Sequence, residues 1–187
     1  MASDAPTAER SAADRLLDAT LESIHVHGLG QTTVSTVTEL AGLSRGMVRH
    51  EFGSKQAMVV AAMQRLCETW LAATDPDPEL TGPDQVRSIV AAMFAPEAFT
   101  PVQIDAWLVL SVEGGADPEL GELRAATQQR WIDQLSEAYE RSGVSDPHQA
   151  AVSTLATADG LWLQHRGKVD GDPGAVARRV VDALLAS

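Results

Sequence analysis

Four donor side chains placed close together in the chain offer the clearest chemistry in this sequence. Arg45, Arg49 and His50 lie on one short segment, and Lys55 follows them. Guanidinium and imidazole groups donate hydrogen bonds to guanine edges or phosphates, and lysine ammonium groups bind phosphates. Gly46 leaves the backbone of the same segment bare, which costs helix stability but permits close approach to the wall of a groove. The pattern predicts an anionic partner, with duplex DNA as the leading candidate.

The charge of the chain is unevenly distributed. Its 187 residues include 14 Lys and Arg against 26 Asp and Glu, which gives a formal net charge of −12 at pH 7. Residues 44–66 nevertheless contain four basic residues and one acidic residue, Glu51, a local charge of +3. Because DNA repels the rest of such a chain, docking is expected at this segment alone. The Glu51 carboxylate repels phosphates unless it pairs with Arg49 or His50 or accepts a hydrogen bond from cytosine, and these alternatives stay open.

Helical periodicity predicts the elements that position these donors. One amphipathic helix is predicted from about Pro6 to residue 27, and Thr33 and Gly42 suit the two ends of a short second helix. Ser44 then suits the N-cap of a third helix, with Val48 on its inner side. Two short helices joined by AGLS are typical of a helix-turn-helix, whose second helix enters the major groove.

The remainder of the sequence also predicts helices and no convincing strand. Ser54 can cap a helix from 55 to about 73, and others are predicted over 83–95, 100–113, 118–141, 146–166 and 173–186. Prolines and glycines mark the breaks between these segments. The expected fold is all-α, with a helix-turn-helix three-helix domain over 1–53 and a C-terminal helical domain over 54–187.

The segment LLDATLESIHVHGLGQTTVSTVTELAGLSRGMVRHEFGSKQAMVVAAM resembles the N-terminal domain of TetR family transcriptional regulators, most of all the choline-responsive BetI branch. IDAWLVLSVEGGADPELGELRAATQQRW and DGLWL resemble the C-terminal domain of that branch. The resemblance implies a repressor that reads a palindromic DNA operator as a homodimer and is released by a small-molecule effector. It implies phosphate contacts from Thr33, Ser44 and Lys55, and base or nearby backbone contacts from Arg45, Gly46, Arg49 and His50. Met47 belongs to the same predicted DNA-binding set.

The resemblance also implies an effector site in the C-terminal domain, with predicted lining residues Trp107, Leu110, Glu113, Trp131 and Trp162. Trp70 is expected to fill the core, and core packing remains open for the other three tryptophans. The resemblance points to choline-like cations, which aromatic faces could hold through cation–π attraction. Glu113 and Asp159 stand on otherwise apolar segments, and either could anchor such a cation. Helix capping or pairing with an arginine is the alternative for both.

A homodimer is expected to form through the last two predicted helices. Apolar residues recur there at spacings of three or four: Ala151, Leu155, Ala158 and Trp162 in one, and Val176, Val180, Ala183 and Leu184 in the other. This pattern suits a four-helix interface on a two-fold axis. A purely intramolecular core is the alternative.

Two other classes of function are weaker. GLSRG matches the G-x-S-x-G nucleophile elbow of hydrolases, but that elbow needs a preceding strand, so no catalytic residue is assigned. A helical interaction protein that has lost specific DNA binding is the alternative, and Glu51 with the overall acidity is its main support. Cys67 has no disulfide partner, and no Cys/His cluster has zinc spacing. We therefore expect a cytoplasmic protein without cofactor, metal or membrane span, with Cys67 buried as a small hydrophobic residue.

Overall fold

The computed structural model describes residues 10–115, 117–166 and 172–186, with only the backbone of Arg166. Within these ranges lie nine α-helices: α1 (Ala12–His27), α2 (Val34–Ala41), α3 (Arg45–Phe52), α4 (Lys55–Ala73), α5 (Pro83–Ala92), α6 (Pro101–Glu113), α7 (Pro118–Arg141), α8 (Pro147–Arg166) and α9 (Pro173–Leu185). The described residues contain no β-strand, and the all-α prediction is confirmed. Over the same ranges, no helix is long and apolar enough to cross a membrane, and no cluster of three or more His, Cys, Asp or Glu could hold a metal ion.

Local caps set the helix boundaries, and two of these differ from the sequence prediction. α1 begins at Ala12, because the Ser11 hydroxyl accepts a hydrogen bond from a backbone amide in its first turn. The predicted start at Pro6 lies outside the described residues. α5 ends at Ala92 and not at residue 95, because the backbone tightens into three-residue turns ahead of Pro96. A proline disfavours helical backbone at the residue before it.

The chain divides into two compact units after Ala62, inside α4. In the first unit, α1 to α3 enclose a core of Leu16, Ala19, Val37, Ala41, Val48 and Met58. The Arg15 guanidinium donates to the Ala41 carbonyl at 2.5 Å and so ties the end of α2 to α1. Gly42 follows with φ 62°, a left-handed conformation that favours glycine and turns the chain into α3. The functional boundary predicted after residue 53 remains a prediction.

The second unit contains the end of α4 and helices α5 to α9. α7 packs against α5, α6 and α8, and α9 packs against α5 and α8. The core of this unit includes four tryptophans that are each at most 2% exposed: Trp70, Trp107, Trp131 and Trp162. Cys67 is also buried, as predicted, and burial raises the pKa of its thiol.

The dimer face predicted on α8 is buried within the chain itself. Its four residues are at most 3% exposed: Ala151, Leu155, Ala158 and Trp162. The prediction fails for α8 because this side of the helix packs into the core of the second unit. A different side of α8 exposes Ala156 and Leu163, and α9 exposes Val176 and Ala183 as predicted. We call this exposed side of α8 its outer side.

Two glycines bring the end of α6 against the start of α7. A Cβ built on Gly121 would lie 2.5 Å from the Gly114 carbonyl oxygen, which is backbone and cannot rotate away. We expect Gly121→Ala to lower the free energy of unfolding by about 1–3 kcal/mol, since the backbone must shift to admit the methyl group. Urea denaturation measures this change. Gly115→Ala is the matched control, because its Cβ would meet the nearest atom at an ordinary 3.6 Å. Equal stability of the two variants would contradict the tight contact.

Candidate nucleic-acid interface and ligand site

α3 turns a polar side outward. Arg45, Gly46, Arg49 and His50 are exposed, whereas Val48 on the inner side is 2% exposed. Neither Arg45 nor Arg49 forms an ion pair or a side-chain hydrogen bond with any described residue. Two guanidinium groups four residues apart lie on one side of a helix, and each presents five N–H donors. This face can therefore donate to base edges and phosphates at once.

A cleft of about 230 Å³ lies beside this face. It is lined by Val34, Arg45, Val48, Arg49, Gly53, Ser54 and Lys55. The cleft brings Lys55, the first residue of α4, close to both arginines of α3. Lys55 also makes no ion pair with a described residue. The three cations therefore form one positive surface.

The start of α2 is fixed by a chain of hydroxyl groups. Thr33 is its N-cap, as predicted, and forms a capping box with Thr36 through contacts of 2.9 and 3.1 Å. The Ser23 hydroxyl, buried in α1, lies 3.2 Å from the hydroxyls of both Thr32 and Thr36. These bonds hold the exposed Thr33 in place at the helix N-terminus, where phosphates bind favourably.

Ser44 immediately precedes α3, and Met47 lies in its first turn. Ser44 is at the N-cap position, as predicted, but its hydroxyl makes no capping hydrogen bond. The Met47 amide instead donates to the Ser44 carbonyl at 3.0 Å, so the exposed hydroxyl can meet a phosphate. The Met47 side chain is half-buried and packs on the core of the first unit. The Met47 side chain therefore helps to hold α3 against that core.

Glu51 lies beside His50 and forms no ion pair with Arg45 or Arg49. Its carboxylate is 3.9 Å from Nε2 of His50, whose side chain is 76% exposed. At such exposure even a protonated imidazole forms only a weak, screened ion pair. The carboxylate therefore leaves the donors of Arg45 and Arg49 free.

Four tryptophans converge in the second unit. All six pairs among Trp70, Trp107, Trp131 and Trp162 have ring centroids between 4.9 and 6.4 Å apart. Three of the indole N–H groups have acceptors: the Ala98 carbonyl for Trp70, the Asp159 carboxylate for Trp107 and the Thr74 hydroxyl for Trp131. We call these four side chains the tryptophan cluster. Through Trp107, the tryptophan cluster is hydrogen-bonded to Asp159 on α8.

Comparison with known proteins decides the family. Residues 16–62 match the family of bacterial regulatory proteins described as tetR, and residues 83–187 match the C-terminal domain of the BetI-type transcriptional repressor. The chain is 32% identical over 187 residues to the HTH-type transcriptional regulator BetI of Burkholderia cenocepacia (strain HI2424), covering 92% of this chain and 93% of that one. The chain belongs to the TetR family. It is therefore a DNA-binding transcriptional regulator and not an enzyme.

Solved structures of regulators share the TetR fold of this chain. One from Pseudomonas aeruginosa PAO1 matches with a TM-score of 0.81 at 24% identity, covering 94% of this chain and 90% of that one. A regulator from Saccharomonospora viridis, solved in complex with choline, matches with a TM-score of 0.79 at 17% identity, covering 94% and 95%. At these identities the likeness shows the fold alone.

The predicted effector residues of this TetR protein do not all lie together. Trp107, Trp131, Trp162 and Leu110 are buried in the second unit, but Glu113 is exposed at the last residue of α6. Glu113 therefore does not supply the carboxylate of the tryptophan cluster, because α6 ends in solvent there. Asp159 supplies it, through the 2.9 Å hydrogen bond from Trp107.

Burial raises the pKa of the Asp159 carboxyl, although the Trp107 hydrogen bond and the positive charge of Arg124 both act to lower it. Arg124 is a residue that the sequence prediction missed. Its spacing from Trp131 could have indicated it, since the two residues are about two helical turns apart and so share a side of α7. Thr74, just after α4, was missed as well, and nothing local marks it as the acceptor for Trp131.

Proposed function

We propose that this TetR-family regulator is a homodimeric repressor that reads a palindromic operator through α3 and is released by a small effector bound in its second unit. The observation that carries the proposal is the pair of arginines on the exposed side of α3, neither of which pairs with a residue that the structure describes. In a chain of net charge −12, such a face is the natural point of contact with DNA. Binding should therefore depend steeply on salt and occur in one orientation.

The donors of this face divide into two roles. Arg45 and Arg49 can read base edges, because a guanidinium fits the paired acceptors of guanine. His50 and Gly46 lie on the same exposed side and meet bases or nearby backbone. Three further residues fit phosphates and set register without reading sequence: Thr33, Ser44 and Lys55.

Gly46 provides a test of close approach by DNA. Among the described residues, a Cβ at this position would meet only the Ser44 Oγ, at an ordinary 3.8 Å, so no internal contact seen there requires glycine. We expect Gly46→Ala to raise the melting temperature, because alanine stabilises a helix by about 0.5–1 kcal/mol over glycine. The same methyl group should reduce operator affinity roughly tenfold by crowding the groove wall.

Fluorescence anisotropy with operator DNA, alongside thermal unfolding, separates the two effects of Gly46→Ala. Gly115→Ala in the second unit is the control and should leave operator affinity unchanged. A variant that is more stable and binds DNA like wild type would show that α3 does not approach DNA closely at this residue.

The homodimer is supported by the outer sides of the last two helices. Leu163 on α8 is 59% exposed and Val176 on α9 is 36% exposed, and the two helices pack against each other. Exposed apolar residues on adjoining helices suit association with a second copy. A two-fold axis between α8–α9 pairs would present two α3 helices to a palindrome.

The effector is proposed to bind at the tryptophan cluster through a cationic group. Aromatic faces attract cations, and Asp159 adds a carboxylate beside Trp107. The choline complex of the Saccharomonospora viridis regulator supports a quaternary ammonium ligand.

A further inference from the structure

Two buried N–H groups in the second unit, on Trp162 of the tryptophan cluster and on Arg124, find no acceptor among the described residues. Trp162 is 2% exposed, and its Nε1 makes no hydrogen bond with any described residue. The other three indoles of the cluster each donate to a named oxygen. The Nε of Arg124 is buried and likewise unbonded. Buried donors of this kind are rare in native proteins because leaving them unbonded is costly.

Each donor lies near one member of a hydrogen-bonded pair, Trp162 near Trp107 and Arg124 near Asp159. The Trp162 and Trp107 rings are 6.2 Å apart, and Trp107 donates to the Asp159 carboxylate at 2.9 Å. Arg124 is near enough for its charge to act on Asp159, yet it forms no ion pair with a described residue. A cation and a carboxylate thus face one region of the second unit without neutralising each other directly.

A ligand with a positive charge alone fits this arrangement poorly. It would satisfy Asp159 and the indole faces, but it would leave both N–H donors unbonded and meet the positive charge of Arg124. A carboxylate on the same ligand removes both difficulties, because a guanidinium and an indole N–H each donate strongly to an anionic oxygen.

We propose that the second unit binds a small zwitterion, with its carboxylate held by Arg124 and Trp162 and its cationic end on the Trp107 ring beside Asp159. This inference rests on the proposed effector site and specifies the class of ligand that the site takes. The opposite charges of Arg124 and Asp159 then match the two ends of the ligand.

Isothermal titration of the full-length protein with trimethylglycine and with choline tests the proposal. The two probes share a trimethylammonium group and differ in a carboxylate against a hydroxymethyl group. Trimethylglycine should bind at least roughly ten times more tightly than choline, because only it provides an acceptor with full negative charge.

Two variants test whether Arg124 and Trp162 cause the preference for trimethylglycine over choline. Arg124→Met keeps an aliphatic side chain but removes the guanidinium, and it should abolish the preference for trimethylglycine without weakening choline binding. Trp162→Phe keeps the aromatic face, removes one N–H, and should weaken trimethylglycine several-fold. Arg130→Met, at an exposed position on the same helix, is the control and should bind like wild type.

The outcomes separate this inference from the proposed function. If choline binds as tightly as trimethylglycine, or if Arg124→Met keeps the wild-type preference, the zwitterion is wrong and the cationic effector site stands. If neither probe gives heat or shifts the melting temperature, the cationic effector falls and the zwitterion falls with it.

Discussion

Arg49→Ala should cost about 1–3 kcal/mol of operator affinity and remove the preference for one base pair in each half-site. The Arg49 guanidinium is exposed and bonds to no residue within 10–115, 117–166 and 172–186, so its donors are available to a base edge. Removing them changes little within the protein, and the loss should be confined to the DNA complex. Anisotropy titrations against the operator and its single-base variants measure both affinity and preference.

Two further substitutions each remove one positive charge, as Arg49→Ala does, and serve as comparisons for it. Lys55→Ala should weaken binding to all sequences about equally, because an ammonium at the cleft edge binds phosphate and reads no base. Arg130→Ala, on α7 in the second unit, should leave binding nearly unchanged despite the same loss of charge. If Arg45→Ala and Arg49→Ala both leave the choice of operator unchanged, α3 is not the reading helix.

Leu163→Glu should convert the dimer to a monomer and reduce operator affinity by about 10²- to 10⁴-fold, the gain that linked half-sites supply. Leu163 is 59% exposed within the chain, so a charged side chain there leaves the core intact. A carboxylate opposite its own copy on a two-fold axis meets both burial and like-charge repulsion. Light scattering at micromolar concentration reports the mass, and anisotropy reports the affinity.

Val112→Glu is the matched control for Leu163→Glu. Val112 is 74% exposed on α6 and lies on neither α8 nor α9, so the variant adds the same charge elsewhere. It should remain dimeric and bind the operator. A wild-type protein that is monomeric at micromolar concentration, or a dimeric Leu163→Glu variant, would contradict an interface on the outer side of α8.

The helices could be predicted from the sequence because their ends are set locally. Thr33 caps α2 through hydrogen bonds with Thr36, and Gly42 ends α2 in a left-handed conformation. Prolines begin each of the helices α5 to α9. α3 could be predicted for the same reason, since its exposed donors follow from the position of one buried residue, Val48. Interactions between residues close in sequence were therefore enough to predict these helices.

The ligand site was less predictable because its contacts join distant residues. Glu113 and Asp159 both stand on apolar segments, but α6 ends at Glu113, while Asp159 lies within α8 and meets Trp107 across the unit. Periodicity could not show which side of α8 packs inward, and it therefore predicted the buried face as the dimer interface. Arg124 was missed because its significance depends on Asp159, which lies on another helix.

The central claim is that a dimer of this regulator reads DNA through α3, and selection of bound duplexes from a random pool tests it most directly. Wild type should enrich a palindrome whose half-sites lie about 34 Å apart, or a multiple of that distance, because two copies of α3 enter successive major grooves. The same selection with Arg49→Ala should lose one base pair of each half-site. Enrichment of a sequence without two-fold symmetry, or the same palindrome with Arg45→Ala and Arg49→Ala as with wild type, would contradict the claim.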